Sequence, residues 1–273
     1  MGSRFRGNDE IGISDKNRNL TALFQREKEA GFNLSVAGRR TNKSGESAMI
    51  RFENVAKKYW TGHEALTDVS FDIEPGEMVF LTGRSGAGKS TVLRLLSLVA
   101  RPSRGKVFVD GQPLASVRRR GIAKLRRGIG MVFQDHRLLL DRSVFDNVAL
   151  PLLIRGFSKD EIARRVRAAL DKVSLLDKER AAPVTLSTGE QQRVGIARAI
   201  VAKPALIIAD EPTGNLDPQL SMEIMQLFAE FAQVGTTVLI ASHDLHQIKR
   251  MNKRVLVLDN GKLIDDFRPE PSP

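Results

Sequence analysis

Gly83, Gly88, Lys89 and Ser90 set the first chemical constraint, within Phe80-Leu81-Thr82-Gly83-Arg84-Ser85-Gly86-Ala87-Gly88-Lys89-Ser90-Thr91. Their spacing, G-x-x-x-x-G-K-S, is that of a phosphate-binding loop between a strand and a helix. The glycines let the backbone curl so that successive N–H groups face one concavity, which suits a polyphosphate. A helix expected from about Lys89 to Val99 turns its positive end on the same anion. Lys89 brings a mobile positive charge for β- and γ-phosphates, and Ser90 offers an oxygen to Mg²⁺. Residues Gly83 to Thr91 are thus the expected nucleotide loop. The bland alternative, a glycine turn, leaves the flanking strand and helix unexplained.

Two further segments sharpen the chemistry. Leu206-Ile207-Ile208-Ala209-Asp210-Glu211 is an apolar strand that ends in two acids. Asp210 is placed to hold Mg²⁺, directly or through water, and Glu211 to polarise a water for attack on a γ-phosphate. Pro212 fixes the loop that follows. Leu186-Ser187-Thr188-Gly189-Glu190-Gln191-Gln192-Arg193 opens a second helix, whose Ser187 hydroxyl and Gly189 N–H can meet a phosphate. By itself this segment reads equally well as an ordinary serine cap.

Together these segments resemble the ATP-binding-cassette (ABC) ATPases, whose signature L-S-G-G-Q the Leu186 segment approaches. The resemblance extends from Met49 to about Ile264. It implies an α/β P-loop fold of ABC type: a mostly parallel sheet core, an antiparallel β subdomain and a helical subdomain. It implies ATP hydrolysis with Mg²⁺, by a homodimer in which Ser187, Thr188, Gly189 and Glu190 of one copy face the nucleotide of the other. By the same resemblance Tyr59 stacks on adenine, and Gln134 contacts Mg²⁺ and its water. Asn215, Leu216 and Asp217 form the loop that crosses the dimer interface, and His243 contacts the γ-phosphate. The expected metal set is Ser90, Gln134 and Asp210; the expected catalytic set is Glu211, His243 and Gln134.

Asp210 to Asp217 is similar to the branch that holds lipoprotein-release, macrolide-export and cell-division ATPases; Phe133 to Leu139 with Asp141 to Val148, Gly76 to Gly83 and Gly195 to Ala199 are most similar to its cell-division members. That likeness implies an integral membrane partner in the groove beside Gln134 to Pro151, a peripheral place on the cytoplasmic face of a bacterial inner membrane, and control of cell-wall hydrolysis. A lipoprotein-release or export ATPase is the alternative. A nucleotide-binding scaffold without turnover is a further reading, against which Glu211 and His243 argue. One departure stands out: Thr188 replaces the first signature glycine, adding β-branched bulk near the partner's ATP.

The elements that must position these residues follow from periodicity. Strands are expected over Ile50–Lys57, Leu66–Ile73, Met78–Thr82, Lys106–Val109, Ile129–Phe133, Ala205–Asp210, Thr236–Ala241 and Arg254–Leu258. Helices are expected over Ser143–Arg155, Lys159–Val173, Leu186–Ala202, Gln219–Gln233 and Leu245–Met251. Ser158 and Glu161 have the spacing of a capping box, and Asn260-Gly261 that of a type I′ hairpin. Strand–helix alternation implies a parallel sheet covered on both faces. A helical insertion is expected over about 134–182, inside one domain of 49–273. Residues 1–48, polar and without period, are expected to be disordered, with a short helix near 20–30 and Met49 the true start.

Composition adds limits. The 273 residues include no cysteine, which excludes disulfides, thiolate metal sites and a cysteine nucleophile. No apolar run approaches the length of a membrane span. The net charge of +11 suits nucleic acid or an anionic membrane face equally well, or a plain solvated surface. A nucleic-acid-handling ABC ATPase is therefore a third reading, weakened because no long coiled coil, zinc-cysteine module or second cassette is present; no direct nucleic-acid partner is expected.

Overall fold

A computed structural model describes residues 48–269. The disorder and the short helix expected within residues 1–48 fall, Ala48 apart, outside the described residues. The chain begins with strands β1 (Ile50–Lys58) and β2 (Glu64–Ile73), then β3 (Met78–Gly83) and helix α1 (Lys89–Leu96). Strands β4 (Arg104–Val109) and β5 (Gln112–Pro113) precede α2 (Arg119–Arg127) and β6 (Ile129–Val132). Helices α3 (Val144–Ile154), α4 (Lys159–Lys172) and α5 (Thr188–Ile200) follow. The rest is β7 (Leu206–Asp210), α6 (Pro218–Gln233), β8 (Thr237–Ala241), α7 (Leu245–Met251), β9 (Arg254–Asp259) and β10 (Lys262–Phe267).

Two sheets result. One is antiparallel, in the order β2-β1-β4-β5. The other runs β10-β9-β3-β8-β7-β6, parallel throughout except at the β9–β10 hairpin edge. Every residue of β3 is buried, as a central parallel strand requires. Its side chains divide between two cores. Met78 and Phe80 join the helical layer of α3 to α7, while Val79 and Leu81 join α1 and the antiparallel sheet. Asn260 and Gly261, both at positive φ, close the β9–β10 hairpin.

The parallel arrangement decides where the chemistry lies. The chain leaves β3, β6, β7 and β8 at the same sheet edge, so the segments after Gly83, Val132, Asp210 and Ala241 converge there.

Some expectations are corrected. α1 stops at Leu96 rather than near Val99, because Leu98 turns left-handed and the Ser97 hydroxyl donates to the Leu93 carbonyl at 2.9 Å. Residues 134–143 contain no helix; His136 and Arg137 both take positive φ there, and α3 starts only behind the Ser143 cap. At α4 only half of the capping box forms. The Ser158 hydroxyl accepts the Glu161 N–H, but the Glu161 carboxylate turns to Arg164 and Arg165 instead. The basic segment before β6 is a helix, α2, which periodicity misses because none of its residues is fully buried and only Ile122 and Leu125 pack against the core. Helix α5 packs on both α3 and α4.

Candidate functional site

A cavity of about 570 Å³ opens at the carboxyl edge of the parallel sheet. Its wall is formed by Tyr59, the run from Thr82 to Thr91, Gln134, Asp210, Glu211 and His243, with His63, Ala65, Arg94 and Leu245 completing it. Residues drawn from five separate places in the sequence thus share one space.

The loop's shape depends on its glycines. Gly83 has φ 147°, and a Cβ there would stand 2.2 Å from the Leu258 carbonyl oxygen, on the neighbouring strand β9. Gly88 has φ 109°, and a Cβ would meet the Ala65 carbonyl at 2.7 Å. Neither position admits another residue without backbone movement. Lys89 arches back over the loop, its ammonium donating to the carbonyls of Gly83 at 2.6 Å and Arg84 at 3.1 Å. The positive charge therefore already stands over the concavity that the loop N–H groups define.

Opposite the loop stand two carboxylates with different surroundings. Asp210 ends β7, and its carboxylate accepts from the Ser90 hydroxyl. Burial pushes its pKa above the usual carboxylate value and the Glu211 charge adds to this, while Ser90, Lys89 and Arg94 oppose it. A buried acid so placed gains from any further cation brought into the cavity. Glu211 takes φ 47°, a left-handed conformation that costs a non-glycine residue about 1–2 kcal/mol. Its N–H donates to the Ala241 carbonyl at 2.9 Å, which holds that turn. The turn aims the carboxylate at His243, whose Nδ1 lies 2.8 Å from Glu211 Oε1. Backbone strain spent on aiming a side chain is a mark of functional sites.

Tyr59 follows β1, with its hydroxyl 3.4 Å from the Thr91 hydroxyl and Lys57 stacked 5.0 Å from the ring centroid. Burial alone would raise its pKa, yet hydrogen bonds to Thr91 and Arg94 and the charges of Arg94 and Lys57 lower it overall. Gln134 is exposed on the turn after β6 and reaches the same cavity.

The signature residues lie elsewhere: none of Ser187 to Glu190 lines the cavity, nor do Asn215, Leu216 or Asp217. These two segments touch each other instead. A Cβ at Gly189 would come within 3.1 Å of Leu216 Cδ2 and 3.7 Å of the Asn215 carbonyl. Ser187 caps α5 with a complete capping box: its hydroxyl accepts the Glu190 N–H at 3.3 Å, and the Glu190 carboxylate accepts the Ser187 N–H at 2.9 Å. Asp217 caps α6 by accepting the Leu220 N–H at 2.9 Å. Thr188 is the exposed first residue of α5, on ordinary helical backbone that does not require glycine.

Sequence reasoning missed His63 and Arg94. Arg94 lies four residues after Ser90 and three after Thr91 on α1, the helical offsets that put it on their face. His63 closes the turn that begins at Tyr59, its carbonyl accepting the Tyr59 N–H at 2.9 Å. Both signals were readable once the helix and turn were placed.

Comparison with known proteins identifies the family. The family described as ABC transporter matches residues 66–214. The chain is 58% identical over 215 residues to the cell division ATP-binding protein FtsE of Escherichia coli (strain K12), covering 79% of this chain and 97% of the relative. It is 44% identical over 218 residues to the protein of the same name in Bacillus subtilis (strain 168), covering 80% and 96%. Among solved structures it resembles the dimeric structure of MJ0796, described as a bacterial ABC transporter cassette, at 34% identity and TM-score 0.78, covering 82% of this chain and all of that one. A post-hydrolysis dimer of the same cassette, bound to ADP and Pi, matches at 33% identity and TM-score 0.78, with the same coverage.

Proposed function

The chain belongs to the ABC transporter family, and from that premise we propose that it is the ATP-hydrolysing subunit of an FtsE-like membrane complex in bacterial cell division. The observation that carries the proposal is the single cavity in which the glycine loop, Lys89, Asp210 and the Glu211–His243 pair face one another. Relatives named for cell division, at up to 58% identity over nearly their whole length, favour this role over lipoprotein release or export.

In this reading Tyr59 packs against the adenine, and the loop from Gly83 to Thr91 wraps the phosphates. Water adds to the γ-phosphorus as the bond to the β–γ bridging oxygen breaks. Glu211 orients that water and accepts its hydrogen bond, and His243 fixes the carboxylate through Nδ1 while presenting its other face to the γ-phosphate. The residues suit Mg²⁺ only alongside phosphate. Ser90 and Asp210 are already hydrogen-bonded at the loop's mouth. Among the described residues no group of three His, Cys, Asp or Glu could hold an ion unaided. With ATP bound, Ser90, Asp210 and Gln134 would hold Mg²⁺, which supplies charge neutralisation at the phosphates.

Each site needs a second copy. The adjoining Ser187–Glu190 and Asn215–Asp217 segments, absent from their own cavity, serve the nucleotide of the other protomer; the dimeric cassette neighbours support this. The membrane partner is of FtsX type. Its place is a groove of about 450 Å³ between α2, β6, α3 and α5, where apolar side chains alternate with Arg126, Arg127, Arg155 and Arg198 and no carboxylate is present. Among the described residues no helix is long and apolar enough to cross a membrane, in keeping with a peripheral subunit on the cytoplasmic face of the inner membrane. Residues 49–273 act as one ATPase domain, with a helical subdomain within about 134–182 whose helices, α3 and α4, start behind the Ser143 cap.

The test is Glu211→Gln. It should keep ATP binding, lose on the order of a hundredfold or more in hydrolysis, and accumulate as a dimer in ATP by size-exclusion chromatography. A monomer in saturating ATP would overturn the two-copy scheme. Recovery of an integral membrane partner from solubilised membranes, and septation that depends on the gene, test the division role.

A further inference from the structure

Lys178 lies outside the nucleotide cavity, yet its ammonium pairs with Glu190 Oε1. The other oxygen of the same carboxylate, Oε2, accepts both the Ser187 N–H at 2.9 Å and the Ser187 hydroxyl at 3.0 Å. Lys178, Glu190 and Ser187 therefore form one connected unit at the first turn of α5. Lys178 is firmly based. It ends the 3₁₀ turn Leu176–Lys178, and the residues just after it are tied to the start of α3. The Phe145 N–H donates to the Glu179 carbonyl at 2.8 Å and the Val144 N–H to the Ala181 carbonyl at 2.9 Å; Arg167 holds the Glu179 carboxylate at 3.0 Å.

The arrangement poses an electrostatic problem for the two-copy scheme. A highly charged phosphate must approach Ser187, and a carboxylate stands 3.0 Å from that very hydroxyl. Two anions brought that close repel strongly where water is excluded. The hydroxyl proton is also directed at Glu190 rather than outward. We propose that Lys178 is a positioning residue for the in-trans site: it cancels the Glu190 charge and holds that carboxylate back. The Ser187 hydroxyl and the α5 N-terminus can then accept the phosphate of the ATP bound by the second copy. This rests on the reading that Ser187 serves the partner's nucleotide. Ser187 itself is exposed, and the side chain of Lys178 remains 40% exposed, so the unit lies where a second copy can reach it.

The role differs from simple helix capping in what it predicts. In the full chain carrying Glu211→Gln, ATP-dependent dimerisation is followed by light scattering across protein concentration, and ATP binding to the monomer by fluorescence of a nucleotide analogue. Lys178→Ala should raise the concentration for half-dimerisation about tenfold or more, with the monomer's nucleotide affinity unchanged. Lys178→Arg should stay near native. Adding Glu190→Gln to Lys178→Ala removes the uncompensated charge and should bring dimerisation back to within about threefold of native. Native dimerisation by Lys178→Ala overturns the proposal. So does a double variant as impaired as Lys178→Ala alone, since that result assigns Lys178 to the stability of α5. If the Glu211→Gln chain stays monomeric in ATP even with Lys178 intact, the two-copy scheme fails and this role fails with it; dimerisation indifferent to Lys178 removes only this role.

Discussion

Gly83 and Gly86 belong to the same loop, yet their substitutions should behave very differently. Both take positive φ, but a Cβ at Gly83 collides with a strand carbonyl, while one at Gly86 meets nothing within 4 Å. Gly86→Ala should therefore cost only the left-handed conformation, about 1–2 kcal/mol. Gly83→Ala should cost more than that, because β3 and β9 must separate, and should abolish ATP binding. Urea unfolding and nucleotide titration of the two variants check this; equal costs would show that the loop is looser than the strand contact implies. Thr188 makes a second residue-scale case. It sits exposed on ordinary helical backbone, so its effect is one of bulk rather than of backbone strain. The native ATPase rate should be no higher than that of Thr188→Gly, and a faster native enzyme contradicts the argument. The glycine and lysine spacing was plain in the sequence, because a phosphate loop is a local device. Arg94 and His63 were not, since nothing in their spacing says which way a helix or a turn will face.

Elements bring buried polar side chains into the account. Asn147, fully buried on α3, donates to the carbonyls of Leu139 at 2.9 Å and Ser143 at 3.0 Å and accepts the Leu139 N–H at 2.8 Å. It is the tie between α3 and the irregular run 134–143 that carries Gln134. Asn147→Ala leaves several of those groups unpaired and should lose about 2–3 kcal/mol of stability in urea unfolding; a loss under about 0.5 kcal/mol would mean that water replaces the side chain. Helix α5 supplies a pH dependence. Lys178, and next the Ser187 N–H, hold the Glu190 pKa down to about 2, against an ordinary 4.5. Because the folded value is the lower one, the unfolded chain takes up the proton first as pH falls. The cap's contribution is complete above about pH 4.5 and drains away towards pH 2, screened in part because the Glu190 side chain is 16% exposed. Thermal unfolding of native and Glu190→Gln protein should show a stability gap that narrows across that interval. A gap independent of pH would mean that the charge plays no part. The serine cap and its glutamate were visible as a three-residue spacing. Lys178 was not, since twelve residues separate it from Glu190 and the turn between them had no readable shape.

For the whole molecule the deciding quantity is concentration. In the proposed two-copy scheme the cavity holding Lys89, Asp210, Glu211 and His243, without Ser187–Glu190 in its wall, is half a site per chain. Hydrolysis per molecule should climb with protein concentration and then level off as dimers fill. A specific activity that stays constant on dilution into the monomeric range would exclude a shared site.

Taken by itself, the sequence determined the chemistry: a phosphate loop, an acid pair after a buried strand and a serine-capped helix are each encoded within a dozen residues, where backbone sterics and hydrogen bonding act locally. It also determined most strands and helices, since burial on two faces or one leaves its period in the side chains. Only the tertiary structure decided that Glu211 meets His243 across thirty-two residues, that the basic segment 119–127 is a helix with no fully buried residue, and that Glu190 takes Lys178 as its partner. The reason is physical. Pairings between distant segments depend on strand order and on which edge of the sheet a loop leaves, and neither is written in any local run of residues.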